Sequence, residues 1–408
     1  MLAALRHGSF RWLFAAQVAS AFGNFAFTVA IAALLVEHGG DAGTIGLVLA
    51  LAAGGLVIFA VPAGVIADRF PRRLVCVIAD ASRMTAIGII ALIGGGAPTA
   101  AIGALAFVVG MGQALFEPAY RGLVPRVLPD ERLQAGNALG ALSSQLALFM
   151  GPAVSGVVIA ALGAVPALAM SSAIFALSWL SMFRVRETVP APDAPADEDG
   201  TLLGEAAAGF RAMYDRPWIA IVVGMAMIHL LVAIAPFEVL APLIAEDDYG
   251  DVAIYGWMLA AMGTGAIAGA IVAARIRPRL PGIVGLLMLI PFCVLLVALA
   301  LEPALPVLLA VLVAAGIGEA TFDVLWTTAL QRDVPDHLLS RVISLDFLGS
   351  LALLPVGLAL TGPAVDSFGR DEVLIFGAVV AFVLLFPPML SDQVRRLSSR
   401  PVVETERS

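Results

Sequence analysis

Charge is what this sequence has least of. Only 13% of its 408 residues are Asp, Glu, Lys or Arg, against roughly a quarter in soluble domains. Lysine is missing altogether, and all 23 basic residues are arginine. There are two cysteines, Cys76 and Cys293, each in an apolar run. That excludes a disulfide framework and a cysteine metal site. Aromatics are sparse and no basic stripe interleaves with them, which argues against nucleic-acid binding. The chain has no phosphate loop, no zinc spacing and no nucleophile elbow, so neither an enzyme nor a bound cofactor or metal is expected. The N-terminal region has no cleavage site after a short apolar core, so its first apolar run reads as a retained helix.

What the chain does have is apolar length. The hydrophobic fraction is 61%, more than one core can hide behind a polar surface. A helix needs about 20 apolar residues to cross a bilayer. Runs of that kind fall near 10–36, 43–67, 73–95, 98–121, 133–162 and 165–184. A second set falls near 217–244, 252–274, 280–300, 304–330, 338–366 and 371–391. The fold class expected is therefore an all-α membrane protein of twelve transmembrane helices in two six-helix bundles.

The arginines test that layout. Arg6, Arg11, Arg69, Arg72, Arg73, Arg121, Arg126 and Arg132 fall on one side of it. So do Arg184, Arg186, Arg211, Arg216, Arg275, Arg277, Arg279, Arg332, Arg341, Arg395, Arg396, Arg400 and Arg407. Arg370 lies opposite and Arg83 lies within span 3. The positive-inside rule then puts both termini in the cytoplasm of a cell-membrane protein. The opposite loops carry Glu37, Asp41, Glu246, Asp247, Asp248 and Glu302. Between the halves, residues 190–200 are Pro-rich and acidic and read as a linker. Residues 202–215 read as a short amphipathic helix. The expected organisation is an N-terminal bundle over 1–186, a linker over 187–216, a C-terminal bundle over 217–392 and a tail over 393–408.

The halves repeat. Residues 110–139 align with 316–345 without a gap, at a constant offset of 206. Gly110, Gly112, Phe116, Pro129 and Asp130 meet Gly316, Gly318, Phe322, Pro335 and Asp336, and Glu117 meets Asp323. Gly151 and Gly156 meet Gly357 and Gly362. Parallel six-helix repeats are one construction of secondary transporters, with the substrate site at their interface.

Between spans 2 and 3 stands Gly64-Val-Ile-Ala-Asp68-Arg69-Phe-Pro-Arg72-Arg73. This resembles the cytoplasmic loop motif of the major facilitator superfamily, with Pro71 in place of the usual glycine. In that family the loop locks and releases a gate. Gly64 suits close helix approach, Asp68 a helix N-terminus, and the arginines an anionic lipid surface. Gly140, Gly151, Pro152 and Gly156 in span 5 resemble the motif of the superfamily's drug–proton antiporters. Phe116-Glu-Pro-Ala-Tyr120, Leu123-Val-Pro125 and Asn137-Ala138 resemble the enterobactin-exporter and macrolide-efflux branch. Many members of that branch have an acid in span 1 where this chain has Gly23-Asn24. Asp80 and Arg83, three apart in span 3, read as a structural ion pair near the cytoplasmic gate, and the resemblance agrees.

Ionisable groups within a bilayer are costly and mark function. Glu319 and Asp323 stand four residues apart in span 10, on one helical face. Two such carboxylates repel, so one should hold a proton readily. Asp323, Glu319 and Glu117 are the first candidates for proton coupling. For Glu117 a local pair with Arg121 reads equally well. Glu238 in span 7 reads as an outward gate, and His229 as a titratable or a packing group. Gln17, Asn24, Gln113 and Gln145 supply neutral polar groups for a substrate cavity. Phe25, Phe116, Phe322 and Trp326 supply an aromatic wall, unless they face lipid or other helices.

The resemblance implies a monomeric secondary transporter, exchanging protons for a hydrophobic or amphiphilic small molecule and exporting it. An uptake symporter, a facilitator or a lysophospholipid flippase would use the same fold. A membrane sensor fits less well.

Overall fold

A bilayer leaves no water for backbone N–H and C=O groups, so a spanning chain must be helical or a closed barrel. The computed structural model describes residues 4–94, 96–187, 217–276, 278–334, 342–343, 345–346 and 349–396. Among the described residues there is no strand. Twelve helices are long and apolar enough to cross a membrane. The first six are α1 (Gly8–Glu37), α2 (Ala42–Arg69), α3 (Arg72–Ile93), α4 (Thr99–Val127), α5 (Asp130–Leu162) and α6 (Ala164–Met182). The others are α7 (Pro217–Asp247), α8 (Ala253–Arg275), α9 (Pro281–Leu301), α10 (Leu305–Asp333), α11 (Gly349–Phe368) and α12 (Arg370–Leu390). A short α13 (Asp392–Arg396) follows. Leu92, Leu162, Phe368 and Leu390 are largely exposed on these helices, as contact with lipid requires and contact with water would not favour. The expected linker and its amphipathic helix lie outside the described residues from 188 to 216, and so does Arg341.

Contacts divide the chain into two compact units. The first comprises Met1–Pro195, Glu238–Ala260 and Leu358–Ala364; the second comprises Ala196–Phe237, Ala261–Gly357 and Val365–Ser408. In unit 1, α1 packs on α5 and α6, α3 lies against α4 and α6, and α2 lies along α4. Its arginine-rich end is filled by Phe10, Leu13, Val75, Cys76, Phe116, Leu123 and Met182. In unit 2, α9 packs on α10 and α12. The same end there holds Trp218, Val222, Leu286, Leu289, Leu330 and Leu385.

Helix turns are closed by local chemistry. Asp41 caps α2 by accepting from the Thr44 N–H at 2.8 Å. That hydrogen bond holds its carboxyl below the usual carboxylate range. Single glycines join α5 to α6 and α11 to α12. Gly163 has φ +89° and Gly369 has φ +102°, both with extended ψ. Only glycine adopts that conformation readily. The two turns are one repeat offset apart. Beside Gly163, Glu37 Oε1 accepts from the Ala164 N–H at 2.9 Å. Beside Gly369, Arg370 pairs with Glu302 and, at 3.5 Å, with Asp371. The one arginine on the acidic face is thus neutralised where it stands.

Helices in lipid associate through close packing, which favours small residues at their crossings. In unit 1 a Cβ on Gly110 would fall onto the Ala52 carbonyl oxygen; in unit 2 a Cβ on its repeat partner Gly316 would fall onto that of Met262. The α2–α4 and α8–α10 crossings are thus the same contact made twice. Gly156 and Gly256 meet backbone to backbone in unit 1, and Gly362 lies on Gly43. Gly156 and Gly43 belong to the ends of α5 and α2 opposite the arginines.

Replacing Gly156 by Ala should therefore lower the thermal midpoint of the purified protein in detergent, by about 1–3 kcal/mol of overpacking. Gly54→Ala, where a Cβ meets no described atom within 4 Å, should leave the midpoint unchanged or slightly higher.

Candidate functional site

An arginine inside an apolar bundle must find its counter-charge there. In unit 1 Arg83 and Asp80 are both fully buried, with Arg83 Nη2 donating to Asp80 Oδ1 at 2.5 Å. Arg83 Nη1 donates to Asn24 Oδ1 at 3.2 Å and Nε to the Ala79 carbonyl at 3.3 Å. The second Asp80 oxygen accepts from the Ser178 hydroxyl at 2.6 Å. The guanidinium lies between the rings of Phe116 and Phe175, 4.9 and 4.4 Å from their centroids. Those ring faces favour a cation. The side-chain stem lies against Gly112, where a Cβ would come within 2.7 Å of Arg83 Cγ. One carboxylate balances one guanidinium here, and neutral Asn24 adds a hydrogen bond without adding charge. Phe175 and Ser178 complete the site without any spacing in α6 that marks them in the sequence.

The loop motif acts on helix ends. Arg72 Nη1 donates to the Gly122 carbonyl at 2.7 Å. Arg73 donates from Nε to Met182 O at 2.9 Å and from Nη2 to Phe183 O at 3.1 Å. These are last-turn carbonyls of α6, where a cation meets the negative end of the helix dipole. Arg126 pairs with Glu187 on the same side. Arg69 is exposed. The Asp68 side chain lies outside the described ones, and no described atom lies within 4 Å of a Cβ on Gly64.

Other expected residues of unit 1 are dispersed. Gln17 is buried and donates to Ser144 Oγ at 3.2 Å. Gly151 packs on Phe25, and Pro152 lies inside α5. Glu117 and Arg121 form an exposed pair at 2.7 Å. Gln113 is half-buried, and the Gln145 side chain lies outside the described ones. Glu238 is half-buried in α7.

Unit 2 holds an ion pair of a different kind. His229 Nε2 lies 3.6 Å from Glu319 Oε1, with the imidazole nearly buried and the carboxylate about a quarter exposed. Both atoms are buried and neither has a hydrogen-bond partner among the described residues. The Phe292 ring meets the imidazole edge to face at 5.5 Å. Directly after His229 the helix widens to a π-turn over Leu230–Ile234. Such turns occur often at functional sites. No residue pattern marks this one along the chain. Asp323 follows Glu319 by one turn. Phe322 and Trp326 stack, and Trp326 Nε1 donates to the Asp346 carboxylate at 3.2 and 3.3 Å.

The two pairs should respond differently to neutralisation. Asp80→Asn should cost about 3–5 kcal/mol in thermal unfolding, because it strands the buried guanidinium. The double variant Asp80→Leu with Arg83→Leu should cost less than that single change. A double variant worse than the single one would contradict this account of the pair.

Comparison with known proteins agrees with the architecture. The multidrug efflux pump Tap of Mycobacterium bovis (strain BCG) is 27% identical over 412 residues, covering 98% of this chain and 97% of its own. The enterobactin exporter EntS of Escherichia coli O1:K1 is 26% identical, covering 93% and 92%. Among solved structures, the nucleoside transporter NupG (D323A mutant) superposes with a TM-score of 0.71 at 13% identity, covering 93% of this chain and 98% of its own. The D-xylose–proton symporter also gives 0.71, at 14% identity, covering 96% and 99%. The likeness to these two structures is one of fold alone. The pattern of the transmembrane secretion effectors matches residues 1–397, so the chain belongs to that family of the major facilitator superfamily and is a multi-pass membrane transporter.

Proposed function

We propose that this transporter is a proton-driven exporter of hydrophobic or amphiphilic small molecules, with His229 and Glu319 as the pair that carries the proton. Two buried atoms, His229 Nε2 and Glu319 Oε1, 3.6 Å apart and neither with a hydrogen bond among the described residues, carry this reading. One proton between them gives a charge-assisted hydrogen bond and satisfies both groups. Its departure leaves a partly buried carboxylate beside a neutral ring, which is costly in an apolar surrounding. The pair therefore has two states of different charge, as a coupling site requires. The π-turn next to His229 lets a small change of helix register move the ring relative to α10. Asp323, one turn away, is the natural next station for the proton. Glu117 ranks below these, because it is exposed and tied to Arg121.

Export is supported by relatives named as efflux and export proteins. The arginine-rich face is taken as cytoplasmic, with both termini there, in the cell membrane and in a chain that acts as a monomer. The substrate contacts of unit 1 are assigned to Gln17, Asn24, Phe25, Gln113 and Phe116.

The test is dye efflux from proteoliposomes driven by an imposed pH gradient. Glu319→Gln should reduce the driven rate by about 100-fold, with dye binding retained. His229→Gln should displace the pH profile of the remaining rate. Full driven efflux by Glu319→Gln would remove the pair from the mechanism, and dye movement that ignores the pH gradient would remove proton coupling altogether.

A further inference from the structure

The repeat offset of 206 pairs Tyr120 with Trp326 and Gly140 with Asp346. This corner keeps its framework in both units and changes its chemistry. In unit 1 the Tyr120 ring stacks on Phe116, with centroids 6.1 Å apart and planes at 7°. In unit 2 Trp326 stacks on Phe322 in the same way, at 6.4 Å and 5°. Each aromatic presents its polar atom to the stretch that follows in the chain. The Tyr120 hydroxyl meets Gly140, where a Cβ would come within 2.9 Å of it. That hydroxyl is buried and has no hydrogen-bond partner among the described residues. Trp326 Nε1 instead meets the half-buried carboxylate of Asp346 and donates to both of its oxygens, at 3.2 and 3.3 Å.

A second exchange accompanies the first. Glu117 of unit 1 pairs at 2.7 Å with Arg121, one turn on. The repeat partner of Glu117 is Asp323, and that of Arg121 is Thr327. Unit 2 thus keeps the carboxylate, drops the arginine and adds a second carboxylate where unit 1 has glycine. Asp323 acts on Asp346 through space as a like charge. From α7, Trp218 meets the Trp326 ring edge to face at 5.4 Å, and His229 faces Glu319. Helix α9 brings no charged residue from Pro281 to Leu301. Arg332 and Asp333 close α10 side by side with opposite charge, and α13 carries Asp392 and Arg395, all four exposed. Trp326 stands on α10 between Asp323 and Arg332. Glu319, Asp323 and the carboxylate held by Trp326 therefore succeed one another toward the arginine-rich end.

Two carboxylates within reach of each other in an apolar surrounding are hard to ionise together, and one proton relieves the pair. We propose that Asp346 is a proton-binding residue of unit 2 that shares one proton with Asp323, with Trp326 as the positioning residue that holds it to α10. This deepens the coupling role proposed for His229 and Glu319, and rests on it for its purpose. Moving the proton breaks an O–H bond on one carboxyl group and makes one on the other. One negative charge stays on the pair, and the indole keeps its hydrogen. When Asp346 takes the proton, a charge-assisted bond from Trp326 becomes a neutral one, about half as strong. The tie between α10 and the segment before α11 then slackens. Unit 1 cannot respond in this way, because Gly140 has no side chain to protonate.

Trp326 reports the charge of Asp346 in the purified protein, without transport. Excitation moves electron density out of the pyrrole ring of an indole, so a negative charge beside Nε1 favours red emission and its loss favours blue. Parent emission should carry a component that moves to shorter wavelength as the pH falls from about 8 to about 5. Asp346→Asn, which keeps an acceptor for Nε1, should abolish that component. So should Trp326→Phe, which keeps a ring on Phe322. Asp346 gains its proton in two steps, the first shared with Asp323. Asp323→Asn should remove the step at higher pH and leave a single-site curve. Parent emission that does not change with pH, or a component that survives Asp346→Asn, would overturn Asp346 as a proton site. A curve unaltered by Asp323→Asn would overturn the shared proton. Dye efflux adds a readout that a merely structural tie would not move. Trp326→Phe removes a donor to the anion and should displace the pH profile to higher pH; a uniform loss of rate at every pH would overturn the positioning role. Emission that titrates through Asp346 while dye movement ignores the pH gradient would uphold this proton site and remove the coupling reading, so the two fail separately.

Discussion

A charge taken out of water must find its partner inside the protein, and this bundle is organised around that constraint. In unit 1 the constraint is met in full. Arg83 has Asp80 as counter-ion, Asn24 and the Ala79 carbonyl as acceptors, and aromatic faces on two sides. Helices α1, α3, α4 and α6 all contribute to that arrangement. None of them can shift far without exposing a charge to an apolar surrounding. The pair thus fixes the packing of four helices as well as its own geometry.

The backbone is under the same constraint. Its polar groups are consumed within helices, so helices can gain stability from one another chiefly by close approach. Glycine at Gly110 and Gly316 permits that approach at the same point of each repeat. Gly163 and Gly369 then turn the chain at equivalent hairpins with a conformation that other residues resist. Duplication preserved the residues on which backbone geometry depends. It did not preserve the buried charges of α3. Where unit 1 closes Asp80 on Arg83, α9 of unit 2 carries no charged residue from Pro281 to Leu301.

In unit 1 each Asp80 oxygen accepts a hydrogen bond, one from Arg83 and one from Ser178. In the His229–Glu319 pair of unit 2, Nε2 and Oε1 are buried and have no hydrogen bond among the described residues. In the proposed cycle, unit 1 supplies the stiff element and unit 2 the element that changes charge. The π-turn beside His229 adds local freedom where the pair needs it.

The all-α class, the twelve spans and the sequence repeat were legible in the sequence alone. They depend on run length, on composition and on a fixed repeat offset, all of which are local or additive along the chain. The pairing of Asp80 with Arg83 was legible too, because three residues on a helix are neighbours. Glu319 and Asp323 were legible as candidates for the same reason, and so was Glu117 with Arg121. What spacing could not supply was the partner from another helix. His229 and Glu319 are ninety positions apart, and only the packing of α7 on α10 brings them to 3.6 Å. Phe175 and Ser178 joined the Arg83 network in the same way. A sequence records which groups a helix presents; which of them meet is decided by how the helices pack.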